Sequence, residues 1–318
     1  MGRLNGSIIF QERLKQNMFI YIYLLIQSMR PKQWTKNLVI FAPVVFDAKL
    51  LVSAPLFEVP LIKTCLGFLL MSLVTGSIYL LNDILDVNED RLHPQKKMRP
   101  IASGRLPVGC AVMAAIILPL LALPMAFWLN TSFGYILSIY IAINLGYSWK
   151  LKHVVILDVL IIAAGFVLRV AAGVPLVVVE RFSPWMYVCI ALLALFLGFS
   201  KRRQEIVQLK TDAGKARAIL SEYNLGFLDN MLNVIMGCTI TAYSLYTFLA
   251  EGLPKSHAMM LTIPFVMYGI FRYLYLMQVE AETAPPDEIL MKDRPIQAGI
   301  LLWAISVVLI LYVLPKTA

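Results

Sequence analysis

The chain has 318 residues, 59% of them hydrophobic and only 15% charged, with a mean hydropathy of +0.75. A water-soluble domain cannot hide that much apolar surface, so the composition excludes an ordinary soluble protein and implies an all-α, polytopic membrane protein. The formal charge of +9 is then read as basic residues retained on one membrane face, and no nucleic-acid partner is expected.

At the start of the chain, Arg3, Arg13 and Lys15 precede a short apolar run at 18–26. Its length suits a signal peptide, but Gln27-Ser28-Met29-Arg30-Pro31 offers no small-x-small cleavage site. The run is therefore expected as an uncleaved, partly interfacial helix. Arg30 to Asn37 follows, with three cations and Trp34, a composition that suits an interfacial anchor. Beside a lipid-processing site, Lys32 and Lys36 would be candidates for a lipid phosphate headgroup. Nine spans are then predicted, at about 37–53, 61–82, 107–129, 132–149, 154–177, 184–200, 231–250, 258–278 and 296–314, since a span needs roughly 20 residues. They form one domain over 1–318, with 1–36 as its cytoplasmic or interfacial lead-in. Most of the 28 Lys and Arg fall in 1–36 and in the loops after the second, fourth, sixth and eighth spans. Positive charge is retained inside, so the N-terminus and these loops are expected in the cytoplasm and the C-terminus outside.

The loop after the second span carries the densest chemistry. Asn82, Asp83, Asp86, Glu89 and Asp90 are followed at once by Arg91, Lys96, Lys97, Arg99 and Arg105. On a helix, Asn82, Asp86 and Asp90 are four apart and share a face, with Asp83 alongside. Oxygens so placed suit Mg2+, which is held by one or two carboxylates and completes its shell with water and substrate phosphates. A diphosphate would be met by metal on one side and by the basic run on the other.

After the fourth span the chain reads Tyr147-Ser148-Trp149-Lys150-Leu151-Lys152-His153, then Asp158 inside an apolar stretch. An acid there needs a cation, metal or water. Arg169 is eleven residues away, about 16 Å along a helix, too far for direct contact, so separate partners are expected. The sixth span ends in Ser200-Lys201-Arg202-Arg203-Gln204-Glu205, a basic cluster suited to a phosphate-rich substrate. Arg272 is read as an interface residue and 280–293 as a solvated acidic loop. Cys65, Cys110, Cys189 and Cys238 show no CxxC spacing, so neither a disulfide framework nor a zinc site is indicated.

The order Asn82-Asp83-x-x-Asp86-x-x-x-Asp90, with Arg99-Pro100-Ile101 and Ser103-Gly104 after it, resembles the first aspartate-rich motif of the UbiA superfamily of intramembrane prenyltransferases. The resemblance implies helices around a central cavity and a Mg2+ site on Asn82, Asp83, Asp86 and Asp90, with the three aspartates catalytic. It departs from the aromatic type, which carries a second aspartate motif after the sixth span; Asp212 stands there without a D-x-x-x-D partner. With Asp90-Arg91-x-His93-Pro94-x-Lys96 and Tyr147-Ser148-x-x-Leu151-Lys152, the pattern looks like the polyprenyl-phosphate phosphoribosyltransferase branch. That branch implies transfer of phosphoribose from 5-phosphoribosyl 1-diphosphate to a polyprenyl phosphate such as decaprenyl phosphate, releasing diphosphate. Arg91, Lys96, Lys97 and Arg99 would serve the leaving group. Lys150, Lys152, Lys201 and Arg202 are shared between sugar phosphate and lipid phosphate, and Tyr147, Asp158 and Glu205 complete the substrate-facing set. A homo-oligomer is compatible with the sequence. An aromatic prenyltransferase using a prenyl diphosphate and a membrane transporter are the alternatives.

Overall fold

A computed structural model describes residues 19–46, 58–93, 95–177, 183–211, 220, 222–251, 253–280, 284 and 286–314. Arg3, Arg13, Lys15, Pro94 and Asp212 lie outside these, as do 47–53 of the first expected span. Helices α1 (Phe19–Ser28), α2 (Ala42–Phe46), α3 (Pro60–Leu85), α4 (Val87–Leu92), α5 (Val108–Leu129) and α6 (Thr131–Trp149) build the first half. Helices α7 (Leu157–Val177), α8 (Pro184–Thr211), α9 (Leu225–Leu249), α10 (Ile263–Gln278), α11 (Pro286–Lys292) and α12 (Arg294–Val308) follow. No strand occurs among the described residues.

Among the described residues seven helices are long and apolar enough to cross a membrane, which makes the chain a multi-pass integral membrane protein; nine spans were expected. Two expected spans, the first and the fourth, are not among the seven. α6 covers the fourth expected span but is diluted by polar residues. These satisfy themselves on their own helix, Ser138 Oγ on the Gly134 carbonyl, Asn144 Nδ2 on Tyr140 and Ser148 Oγ on Asn144, each at 2.8 Å. The first expected span begins as a 3-10 helix, Pro31–Phe41, before α2. Its axial rise and side-chain rows differ from an α-helix, and Asn37 is buried within it. The described part of α1 has ten residues, about 15 Å, shorter than a span needs, with Phe19, Ile20, Tyr21, Ile22 and Tyr23 exposed. That suits the expected interfacial helix.

Successive helices pack on one another from α3 and α5 through α6, α7, α8, α9 and α10 to α12. The end of the chain returns to the beginning: Tyr312, in the π-helical turn Leu309–Val313 after α12, donates its Oη to the Val45 carbonyl at 3.0 Å, and Phe46 meets Trp303 of α12 and Tyr246 of α9. One core gathers around Met71, Val74, Phe133, Leu137 and Leu176, and another around Val159, Phe199, Leu228, Leu232 and Tyr273. In lipid the driving force between helices is close packing rather than water exclusion, so small residues mark the tightest crossings. At Gly173 a Cβ would stand 2.1 Å from the Ile40 carbonyl oxygen; only glycine lets the 3-10 helix lie so close to α7.

The 280–293 stretch differs from the expected loop, because Pro286–Lys292 is helical and buries Ile289. Arg272 meets it as an ion-pairing residue, 2.9 Å from Asp293 and 3.6 Å from Glu280, with its guanidinium over Tyr275.

Candidate active site

The acidic stretch lies where α3 runs out of apolar residues. α3 ends at Leu85, Asp86 takes φ −93° and ψ 10°, and α4 resumes at Val87. Backbone bonds from Asp86 N to Asn82 O and from Asp90 N to Asp86 O keep the helical path nearly continuous. The side chains nonetheless group otherwise than the four-residue spacing predicts. Asp83 and Asp90, both buried, share one guanidinium nitrogen: Arg99 Nη1 donates to Asp83 Oδ1 at 3.1 Å and to Asp90 Oδ2 at 2.5 Å. Two turns of helix separate these two acids, which brings them back to one face. Asp86 is half-buried and accepts instead from Lys152 Nζ at 2.9 Å. Lys96 Nζ stands 3.9 Å from Asp90. Arg30, which the spacing did not single out, bonds Asp83 and lies over the Tyr79 ring, 4.9 Å from its centroid.

Local structure aims each guanidinium. Arg30 and Arg99 both precede a proline, which keeps a residue out of the α region and turns its side chain away from a regular helix. Arg30 sits at φ 54°. Before it, Met29 is wedged against Gly76, where a Cβ would stand 2.6 Å from the Met29 side chain, and Trp34 Nε1 donates to the Met29 carbonyl at 3.2 Å. Arg99 leads into a turn whose Ile101 and Leu106 are fully buried beside Leu80 and Ala111. Ser103 N donates to Arg99 O at 2.9 Å, Leu106 N to Pro100 O at 2.9 Å, and Gly104 takes the left-handed φ of 74° that the turn requires. Arg91 Nε donates to the Ala102 carbonyl at 3.3 Å, so it braces this turn.

Three carboxylates thus meet four cations, two of the acids almost out of water. Buried like charges raise each other's energy steeply, and the shared guanidinium cancels that repulsion. Among the described residues no three acidic, histidine or cysteine side chains converge as a ready cage for a metal. Mg2+ does not need one, since one or two carboxylates suffice when phosphates supply further oxygens. Asp83 and Asp90, already bridged by a cation, have the donor chemistry for it, and Asn82 lies half-buried on the last turn of α3.

A second polar cluster gathers around Asp158. Asp158 is fully buried at the start of α7; its Oδ2 accepts from Arg202 Nε at 2.8 Å and its Oδ1 from Tyr223 Oη at 2.8 Å. Arg202 Nη1 also donates to Glu205 at 2.6 Å. Burial pushes the Tyr223 hydroxyl up to about 12, with the Asp158 carboxylate adding to it, so it remains a donor. Arg169 has its own partners, as the separation along α7 required. Its Nε donates to Asn37 Oδ1 at 2.8 Å, its Nη2 to Tyr140 Oη at 2.5 Å, and its guanidinium lies over Tyr140 and Phe166.

The remaining predicted residues lie on other stretches of the chain. Lys32 and Lys36 are exposed on the 3-10 helix, Lys97 and Lys201 are exposed, and Tyr147 is half-buried near the end of α6. Lys150 lies over the Trp149 ring at 5.4 Å. Arg30 and Tyr223 were missed by spacing alone. Arg30 shares its Arg-Pro signature with Arg99, a recoverable signal; Tyr223 has none.

Comparison with known proteins agrees with this fold. The model of the UbiA prenyltransferase family matches residues 41–291. A decaprenyl-phosphate phosphoribosyltransferase of Mycolicibacterium smegmatis is 30% identical over 291 residues, covering 88% of this chain and 89% of that protein. The enzyme of the same description from Corynebacterium glutamicum is 30% identical over 295 residues, covering 92% and 87%. The solved structure of a UbiA homologue from Archaeoglobus fulgidus, bound to GPP and Mg2+, superposes with a TM-score of 0.68 at 19% identity, covering 91% of this chain and 99% of that one.

Proposed function

The chain belongs to the UbiA prenyltransferase family, and on that footing we propose that it transfers a 5-phosphoribosyl group from 5-phosphoribosyl 1-diphosphate to a polyprenyl phosphate such as decaprenyl phosphate. The observation that carries this reading is the convergence of Arg30, Lys96, Arg99 and Lys152 on Asp83, Asp86 and Asp90. So many cations at one mouth suit a donor bearing three phosphates and an acceptor bearing one. Two relatives at 30% identity over about nine-tenths of their lengths, both described as decaprenyl-phosphate phosphoribosyltransferases, support the same reaction.

The chemistry is a displacement at the anomeric carbon. The C1–O bond to diphosphate breaks as an oxygen of the lipid phosphate bonds to C1, so diphosphate leaves with the electron pair. The attacking phosphate is already anionic, so no strong general base is needed, and none of the three histidines is required to act as one. Arg99 and Arg30, released from Asp83 by an incoming phosphate, supply positive charge where the leaving group gains negative charge. Lys152 and Lys96 hold the flanking phosphate oxygens. Asp83 and Asp90, with Asn82 and Asp86 beside them, would hold Mg2+; when bound it neutralises the diphosphate and orients it. Lys32 and Lys36, exposed next to the short helix α1, suit the lipid headgroup. Lys97, Lys150, Lys201 and Tyr147 would line the approach, and the excess of basic residues on this side supports a cytoplasmic orientation for it. Arg202 pairs with both Asp158 and Glu205, and this network would support the site.

Purified protein in detergent with Mg2+ tests the proposal. Labelled phosphoribosyl diphosphate is offered with a polyprenyl phosphate, and in parallel a prenyl diphosphate with 4-hydroxybenzoate. Label entering the lipid phase in the first mixture, and lost on chelation, is expected. Product in the second mixture alone would assign the site to an aromatic acceptor.

A further inference from the structure

The segment 150–156, which carries Lys152 to Asp86, holds a backbone conformation that its own sequence does not favour. Ile156, the residue before α7, has a φ of 68°, a left-handed value that a β-branched residue avoids. The residue is 41% exposed, so burial does not impose this conformation. A tyrosine from far along the chain does. Ile156 N–H donates to Tyr223 Oη at 2.6 Å, and Tyr223 Oη donates onward to Asp158 at 2.8 Å. Asp158 is fixed in turn by Arg202, and the Tyr223 ring is buried in the core beside Val159. Meanwhile the Ile156 carbonyl accepts the first bonds of α7, from Val159 N at 3.1 Å and Leu160 N at 2.9 Å. The turn is thus gripped on both sides of one residue. Four residues earlier, Lys152 reaches Asp86.

We infer that Tyr223 is a positioning residue: its hydroxyl clamps the strained Ile156 turn and so holds Lys152 at the aspartate cluster, where it meets a phosphate of the donor. The role of Lys152 rests on the reaction proposed above; the clamp itself does not. Through it, the segment after the sixth-span loop governs a cation of the first-half site, a link that neither loop makes alone.

Two readouts on the full-length protein in detergent test this. The first needs no turnover: amine-reactive labelling of individual lysines, read by peptide mass spectrometry. Tyr223→Phe keeps the ring and removes the clamp, and labelling of Lys152 is expected to rise several-fold while exposed Lys201 is unchanged. Equal Lys152 labelling in wild type and Tyr223→Phe overturns the inference. The second is kinetic. Tyr223→Phe is expected to raise KM for phosphoribosyl diphosphate roughly tenfold with little change in kcat, the scale of one charge-assisted contact. In a Lys152→Met background it should add nothing further, because both changes remove the same contact. Additive effects in an active enzyme overturn the clamp, whereas wild type that labels as expected but transfers no phosphoribose overturns only the reaction. Should Tyr223→Phe fold poorly, Ile156→Gly combined with it supplies the answer. Glycine takes the left-handed φ without help, so Lys152 protection should return; continued exposure of Lys152 in that double variant refutes the clamp.

Discussion

Replacing Arg99 with alanine separates two effects that a simple loss of binding would merge. In the structure Arg99 Nη1 lies 3.1 Å from Asp83 and 2.5 Å from Asp90, and both aspartates are only 2% exposed. Without it, two carboxylates face each other at roughly 5 Å, and at an effective dielectric near 20 their repulsion is about 3 kcal/mol. Arg99 is itself 27% exposed at its side chain, and Arg30 and Lys96 remain, so solvent and neighbours reduce the net change to about 1–2 kcal/mol. That energy is relieved by any cation entering between the acids. Arg99→Ala should therefore bind Mg2+ about tenfold more tightly in the absence of substrate, while kcat/KM falls about a hundredfold because the leaving diphosphate has lost a donor. Mg2+-dependent thermal stabilisation of the detergent-solubilised protein measures the first, and the phosphoribosyl transfer assay the second. Mg2+ binding that is unchanged or weaker would refute the idea that Arg99 occupies the metal's place between Asp83 and Asp90.

Asp86→Ala should lower Mg2+-dependent transfer by about a hundredfold or more, and full activity would remove the aspartate cluster from the mechanism. Gly173→Ala places a Cβ 2.1 Å from a backbone oxygen that has no rotamer to escape by; a destabilisation of about 1–3 kcal/mol is expected in thermal unfolding, and an unaltered midpoint would mean that the 3-10 helix sits farther from α7. Asp293 caps α12 through Ile296 N–H at 2.8 Å and bonds Arg272. Burial raises its carboxyl, but the bonds from Arg272 and Ile296 and the charge of Arg272 outweigh this and hold it below the usual range. Its contribution is therefore complete above the unfolded value near 3.9 and is lost as pH falls through the lower folded value. Asp293→Ala should cost about 1 kcal/mol for the cap at neutral pH, and its thermal midpoint should converge with that of wild type below pH ~4.

Membrane class, most span positions and the aspartate cluster were legible in the sequence because each depends on local composition. An apolar run of 20 residues can satisfy its backbone in lipid only as a helix, and an acid-rich stretch where such a run ends has few other places to go. The chemistry of the Arg-Pro turns was equally local, although the same signature at Arg30 was passed over in favour of Lys32 and Lys36. Side-chain partners were not legible. Asn82, Asp86 and Asp90 share a face on an ideal helix, yet the turn at Asp86 hands that residue to Lys152 and leaves Asp83 with Asp90 on Arg99. Within the first expected span, Asn37 reaches Ser72, Thr75 and Arg169, and the 3-10 path that residues 31–41 take there was likewise not legible.

By itself the sequence determined what had to be helical, what had to be in lipid, and that carboxylates and cations would crowd one membrane surface. Only the tertiary structure decided which cation neutralises which acid, because those pairs join residues 53, 66 and 44 positions apart in Arg30–Asp83, Lys152–Asp86 and Arg202–Asp158. Hydrophobic periodicity acts over a few residues and fixes each helix. Charge pairing in a water-poor site acts over a few ångströms and is settled only when the packed helices have brought distant loops together.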